Sequence, residues 1–444
     1  MNVLDMVRTR FANVFSGWKV GTELDAVIAM YDMLYLYYAS NGLYSDLQKV
    51  KFYLGEWTEA MKPLYNPANR SVEFFVSHVM PEAFPGDLEI VTENALLRTP
   101  LEAIAKWSQF NAKKPVAIRW LAIYGDLFIH PASNTDDTKT YLQFLKPQNV
   151  TSWKEDVRGN VIDIRIDVEI TGGKMHTEIW NTEKYWIWEH HFGRNTPMAH
   201  LNGLVESGDL ATDFDIDFCP FVHVKFRDVG ENRGWGAFTH CLDKVDEGNR
   251  MATRLHQMLF RYNKAFWAIS ANNVDPSGRP LPAPHLGSPR EIVDDTIFEL
   301  PGNSTMNSMV PNLQYAQALE VLHSQLAEIE KDLPELRYGN ISGDLSGRAV
   351  RLLLAGAIDR TKEARTNWEQ GLIRAFQMAL SLRFSAIGSF DAGELDFTFP
   401  ERDVLPISVN ERAETMKLLT DAGIDAATAG RLAGFKLEEL VPQV

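Results

Sequence analysis

The sequence predicts an α+β chain, helical towards both ends and strand-rich between. Three observations carry this reading. Residues 1 to about 112 show helical apolar patterning, and residues 115 to 226 show period-2 alternation with aromatic and β-branched runs. Asn312 to Phe384 then reads as a helix, a Gly/Ser-rich break and a much longer helix.

In chain order, Leu24 to Tyr38 is an apolar, aromatic-rich helix, and Asn69 to Met80 is a second, approached through Asn66-Pro67. Val161 to Ile170 alternates apolar and charged side chains, Lys184 to Trp188 is β-rich, and Thr171-Gly-Gly-Lys174 is a hairpin turn. From Phe238 the pattern returns to helix, with Met251, Leu255, Met258, Leu259, Tyr262 and Phe266 on one stripe. Ala271 to Pro311 holds Pro276, Pro280, Pro282, Pro284, Pro289 and Pro301, so it reads as a small turn-rich unit set between helices.

Tyr315, Leu319, Leu322, Leu326, Ile329 and Leu333 repeat at spacings of 4, 3, 4, 3 and 4, a heptad-like seam that packs against one neighbouring helix. Pro334 stops that helix. The break to Gly347 precedes a helix from Arg348 to Phe384, about 55 Å long at about 1.5 Å per residue. Leu395 to Pro400 is a short strand. Ser408 to Val444 reads as a helical pair, capped by Ser408 or Asn410 and interrupted at Gly423.

Composition narrows the function. The 444 residues are 45% hydrophobic and 11% aromatic, which is globular and large enough for more than one structural region. A net charge of −15 argues against tight, static binding of nucleic acid, while an acidic surface still lets DNA slide past. Two cysteines, Cys219 and Cys241, make no disulfide framework and point to a reducing, cytoplasmic setting. No apolar run reaches the roughly 18 residues of a membrane span, and Met1 to Arg10 lacks a signal-peptide core.

Catalytic signatures are sparse. Thr171-Gly-Gly-Lys-Met175 lacks the upstream glycine and the Ser/Thr of a phosphate loop, and Gly230, Gly234 and Gly236 do not form a dinucleotide fingerprint. Asp213-Phe-Asp-Ile-Asp217 with His190 or His191 is the one enzyme alternative, a carboxylate-metal site such as a nuclease. Its competing reading is a strand with one charged face, and neighbouring histidines on a strand point to opposite faces. Cys219 with His223 is too little for zinc, and no cofactor is expected.

The order of motifs resembles the portal proteins of tailed double-stranded DNA bacteriophages. Tyr65 to Val72 is similar to the family's N-P-x-x-[KR]-x-[IV] helix start, and Ala122 to Ile129 to its G-[DE]-A-F strand. Phe218 to Phe226 followed by Gly234-Trp-Gly236 resembles the passage before the first stem helix, and Gly343-Asp-Leu-Ser-Gly-Arg-Ala-Val350 the G-x-x-S-G-x-A-L stretch after the tunnel loop. The resemblance runs along most of the chain.

It implies a portal fold: a mixed helical/β wing over 1–238 and 346–407, stem helices over 239–268 and 311–332, a clip over 269–310, a tunnel loop over 333–345 and a short helical crown over 408–444. It implies a homo-oligomeric ring of about twelve subunits at a capsid vertex of the virion, assembled in the host cytoplasm. Double-stranded DNA passes through such a ring during packaging and ejection without sequence specificity. The implied partners are the terminase, the head-tail connector or adaptor, and the major capsid and scaffolding proteins; no membrane and no catalysis are implied.

By the same resemblance Glu335, Leu336, Arg337, Tyr338 and Asn340 of the tunnel loop face DNA, and Arg279 and Arg290 of the clip face partners. Tyr315, Leu319, Leu322, Leu326 and Ile329 pack the stem. The first stem helix carries five basic and three acidic residues over 242–266, and the second one basic and four acidic over 313–333, so neighbouring stems are expected to complement each other in charge.

Overall fold

A computed structural model describes residues 23–39, 66–79, 91–92, 95–133, 139–262, 266–271, 277, 279, 304–309, 315–341, 347–383, 397–398, 404–405 and 409–433. Most of the proline-rich segment, with Arg290, lies outside the described residues. The architecture is mixed helix and sheet, as the sequence predicts.

The N-terminal helices are α1 (Glu23–Ala39) and α2 (Pro67–His78). Asn66 caps α2, its Oδ1 accepting from Asn69 N at 3.1 Å, and Pro67 takes the first helical position, where its missing N–H costs nothing. After β1 (Val91–Thr92), helices α3 (Ala95–Trp107) and α4 (Phe110–Tyr124) carry helix further than the patterning placed it. The switch to strand falls at Gly125, not near residue 115. Gly125 ends α4 with a φ of 84°, and its N–H bonds Leu121 O at 2.9 Å.

The strands that follow are β2 (Asp126–Ser133), β3 (Thr140–Leu145), β4 (Val150–Glu155), β5 (Val161–Ile170), β6 (Lys174–Asn181), β7 (Lys184–His190) and β8 (Leu204–Asp209). A one-turn helix, α5 (Leu210–Asp213), precedes β9 (Val222–Lys225). They form two antiparallel sheets, ordered β3-β2-β9 and β4-β5-β6-β7-β8. The β5–β6 hairpin turns on Gly172 and Gly173, both at positive φ, as Thr171-Gly-Gly-Lys174 predicts. The Asp213–Asp217 run is not a strand: Asp213 closes α5 and Asp215 sits at a φ of 54° in the left-handed region, which aspartate tolerates better than most residues.

The chain divides into two compact units, Met1–Val245 with Glu328–Val444, and Asp246–Ala327. The boundary falls within α6 (Leu242–Tyr262) and α7 (Tyr315–Asp332), and between these helices lie β10 (Phe266–Ala271) and β11 (Ser304–Met309), paired antiparallel. Phe266, expected at the end of the α6 stripe, instead opens β10 opposite Met309.

Beyond α7 come a 3-10 turn (Pro334–Asn340), α8 (Gly347–Leu353) and α9 (Ala355–Arg383). The long helix of the sequence reading is therefore interrupted at Leu354, although helical bonds of 3.0 and 2.9 Å run through that residue to Val350 and Ile358. β12 (Phe397–Thr398) pairs with β1, and α10 (Val409–Asp421) and α11 (Ala426–Leu432) make the C-terminal pair, broken at Gly423 with a φ of 91°. No helix among the described residues is long and apolar enough to cross a membrane.

The core of the larger unit forms where α9 lies on the β3-β2-β9 sheet. Trp368, Leu372, Phe376 and Ala379 are buried there, with Trp368 stacked on Phe144 at 6.0 Å. Gly371 permits the approach, since a Cβ there would run into Val224. A second close approach sets the passage into α6. Gly125 and Gly234 cross backbone to backbone, and a Cβ on Gly125 would lie 2.7 Å from Gly236 N. The paired glycines of Gly234-Trp-Gly236 thus have a steric reason.

Candidate functional site

The segment that joins α7 to α9 begins on an apolar seam. In the smaller unit Ala252, Leu255 and Leu322 are buried together, with Met251, Ala318, Leu319 and Leu326 packed against them. Leu319, Leu322 and Leu326 thus meet α6 through the residues the heptad spacing selects. Tyr315 opens α7, and Ile329 and Leu333 are buried in the larger unit. There Lys244 Nζ lies 2.7 Å from Asp332 Oδ2, and His240 Nε2 lies 3.2 Å from Asp332 O. Burial, and then the nearby Arg360 charge, hold the His240 imidazole below its ordinary range.

The turn itself is anchored. Glu335 is only 2% exposed. Arg360 Nη1 donates to its Oε1 at 2.8 Å and Oε2 at 2.6 Å, and Ser71 Oγ on α2 donates to the same carboxylate. Arg360 also donates to Ala237 O and, at 3.4 Å, to Asp332 O, with its guanidinium 5.4 Å from the Phe75 ring centre. One buried ion pair therefore joins α2, the segment leading into α6, the end of α7 and α9. Sequence reading missed Ser71 and Arg360, which lie 264 and 25 residues from Glu335.

Glu335 is accordingly placed inside the unit, not on a surface turned to a duplex. A buried carboxylate takes this position because cation and hydroxyl donors replace its water. Tyr338 differs: it is 47% exposed, with its ring edge-on to Phe74 at 5.6 Å and His78 at 5.3 Å. Leu336 and Arg337 are half-buried, and Asn340 closes the turn. Arg365 caps the end of α2 beneath, donating to His78 O at 2.6 Å and Val79 O at 3.0 Å. Arg279 is exposed, while Arg290 lies outside the described residues.

A second buried cluster ties α1 to both sheets. His223 Nε2 lies 2.9 Å from Asp126 Oδ1 and Nδ1 lies 2.6 Å from Glu155 Oε1, so each ring nitrogen faces a carboxylate, an arrangement that favours the charged imidazolium. Burial opposes that charge, but the two carboxylates outweigh it and raise the imidazole's pKa. Tyr31 OH donates to Asp126 Oδ2 at 2.7 Å, Arg233 Nη1 donates to Tyr31 OH at 2.6 Å, and Gly234 N donates to Asp126 Oδ1 at 2.7 Å.

The enzyme alternative finds no such assembly. His190 is buried with Nε2 2.8 Å from Thr177 Oγ1, whereas His191 is exposed. Among the described residues no group of three or more His, Cys, Asp or Glu side chains is placed to hold a metal ion, whether from Asp213, Asp215 and Asp217 or elsewhere. Cys219 is buried, and burial pushes its thiol up.

No protein-family model and no curated protein matches the sequence. Among solved structures, the fold is similar to a chain in the neck of an empty gene transfer agent particle computed with C6 symmetry: 13% identity, TM-score 0.51, covering 84% of this chain and 90% of that one. A chain from the virion of the native gene transfer agent particle aligns with 13% identity and a TM-score of 0.48, over 83% and 90%. One from the neck of the native particle computed with C12 symmetry aligns with 14% identity and a TM-score of 0.43, over 83% and 90%. The first likeness shows a shared fold along most of both chains.

Proposed function

We propose that this chain is the subunit of a ring-shaped portal, a head-to-tail connector through which double-stranded DNA enters and leaves a phage-like particle. The observation that carries the reading is the fold shared with a particle-neck chain over 84% of this chain. That neck was computed with sixfold symmetry, and a heterologous interface that closes on itself makes such rings. In this reading 239–268 and 311–332 are the stem, 269–310 the clip, 333–345 the tunnel loop, 408–444 the crown and the remainder the wing. The ring holds about twelve copies. Its partners are the terminase, then the connector proteins, with the capsid and scaffolding proteins around it, and the subunit itself performs no catalysis.

The buried Glu335 refines the tunnel assignment. Tyr338, Arg337, Leu336 and Asn340 are the DNA-facing residues, and Glu335 is the anchor that holds them. Only Arg337 supplies positive charge in the turn, so contact with phosphates is weak and transient, as sliding requires. Arg279 and Arg290 engage the motor. The test is packaging in particles that carry Arg279→Glu with Arg290→Glu. Rings should still form while DNA uptake falls, and normal uptake would remove the clip arginines from the proposal.

A further inference from the structure

The larger unit holds a cavity of about 750 Å³ that the assembly reading leaves without a role. It opens between β2–β3 and β6–β8, with α5 beside it. One wall is aromatic. Trp180 and Tyr185, both buried, stack at 4.8 Å, and Phe214 tilts against Tyr185 at 5.5 Å and Trp180 at 6.3 Å. His130 stands edge-on to Trp180 at 5.4 Å, and burial pushes its imidazole down to about 4, so it is neutral at pH 7.

The remaining charges in the lining are Glu178, Glu206 and Asp213, with no lysine or arginine. Glu178 is already matched: His176 Nε2 lies 3.0 Å from it and Trp180 Nε1 donates to it at 2.9 Å. Glu206 and Asp213 are exposed and converge on one phenol. Tyr185 OH donates to Glu206 at 2.9 Å, and burial, then Glu206, then Asp213 hold that phenol's proton firmly. A phenol has one proton to give, so it satisfies one carboxylate and leaves the second without a donor from that hydroxyl. Among the described residues neither Glu206 nor Asp213 pairs with a cation. The volume falls in the range of small-molecule sites, about 300–1,000 Å³.

We propose that this cavity binds an organic cation: an ammonium or guanidinium head between Glu206 and Asp213, with an apolar stem against Trp180, Tyr185 and Phe214. Aromatic faces attract cations and exclude water from the stem, while the two carboxylates select the sign of the charge. A neutral or anionic guest of the same shape gains only the apolar part. The site stands whether or not the chain assembles into a ring, because every lining residue belongs to the same compact unit.

The probe is n-hexylammonium, titrated into the full chain by calorimetry and tryptophan fluorescence beside n-hexanol and hexanoate. Hexylammonium should bind, hexanol more weakly and hexanoate not at all. Glu206→Gln and Asp213→Asn should each weaken hexylammonium by about fivefold. Both positions are exposed, and the amide introduced by Glu206→Gln keeps an acceptor for Tyr185, so unchanged unfolding midpoints separate lost binding from lost folding. Light scattering on the same titration identifies the source of the natural cation. Falling oligomer size means a basic side chain of a second copy, and constant size means a free amine. Hexylammonium binding no tighter than hexanol, or a double variant within twofold of the parent chain, would overturn the site.

Discussion

Replacing Arg360 by alanine removes the guanidinium paired with a carboxylate that water barely reaches. The Glu335 side chain is 0% exposed, and Ser71 Oγ would be left as its side-chain donor among the described residues. Breaking one side of such a buried pair costs about 3–5 kcal/mol. Glu335→Ala should cost less, about 1–3 kcal/mol. Arg360 is 16% exposed, so it can turn towards water while keeping Ala237 O and Asp332 O as acceptors. The double variant Glu335→Leu with Arg360→Met removes both charges and should be more stable than Arg360→Ala alone. Urea unfolding followed by circular dichroism, with m-values held equal, reads these differences directly. Arg360→Ala costing less than about 1 kcal/mol, or Glu335→Ala costing more than Arg360→Ala, would mean that Glu335 does not depend on the guanidinium for its burial.

His223 has a raised pKa in the fold, so its contribution to stability is complete below its ordinary value of 6.5 and is lost as pH rises through the folded value. Glu155 has a lowered one, with burial opposing and the His223 bond and charge prevailing, so its contribution is present above 4.5 and is lost as pH falls through its folded value. Unfolding midpoints between pH 4 and 9 should therefore decline on both sides, and His223→Gln should flatten the alkaline limb. Gly371→Ala drives a methyl into Val224 and should cost about 1–3 kcal/mol, and Gly125→Ala, at positive φ against backbone, should cost more. Leu322→Ala, in the α6–α7 seam, should cost about 2–5 kcal/mol and expose residues 246–327 to protease before the rest of the chain.

What the sequence disclosed follows from the range of the forces involved. The Asn66 cap, the Gly172-Gly173 hairpin and the α7 heptads are set by neighbours a few residues apart, and all are visible in the string. Val161 to Ile170 was legible as a strand, but its charges were not legible as buried. Arg165 donates to Asp167 at 3.0 and 3.1 Å and to Thr196 O at 2.7 Å, and Asn195 N donates to Asp167, so the pair leaves solvent together. The Asp213–Asp217 run mimicked strand alternation because five residues are too few to separate a pleat from a helix end followed by a left-handed aspartate. Glu335 read as part of a surface loop because its partners come from α2 and α9. The aromatic cavity was invisible for the same reason, since its walls come from separate strands.

Whether this chain closes into a channel-forming ring is decided by electron microscopy of the purified protein. Cyclic particles with a central opening wide enough for a DNA duplex are expected, each built from about twelve copies. A population that stays at the 50.3 kDa mass of one chain at micromolar concentration, with no ring in any class average, would contradict it.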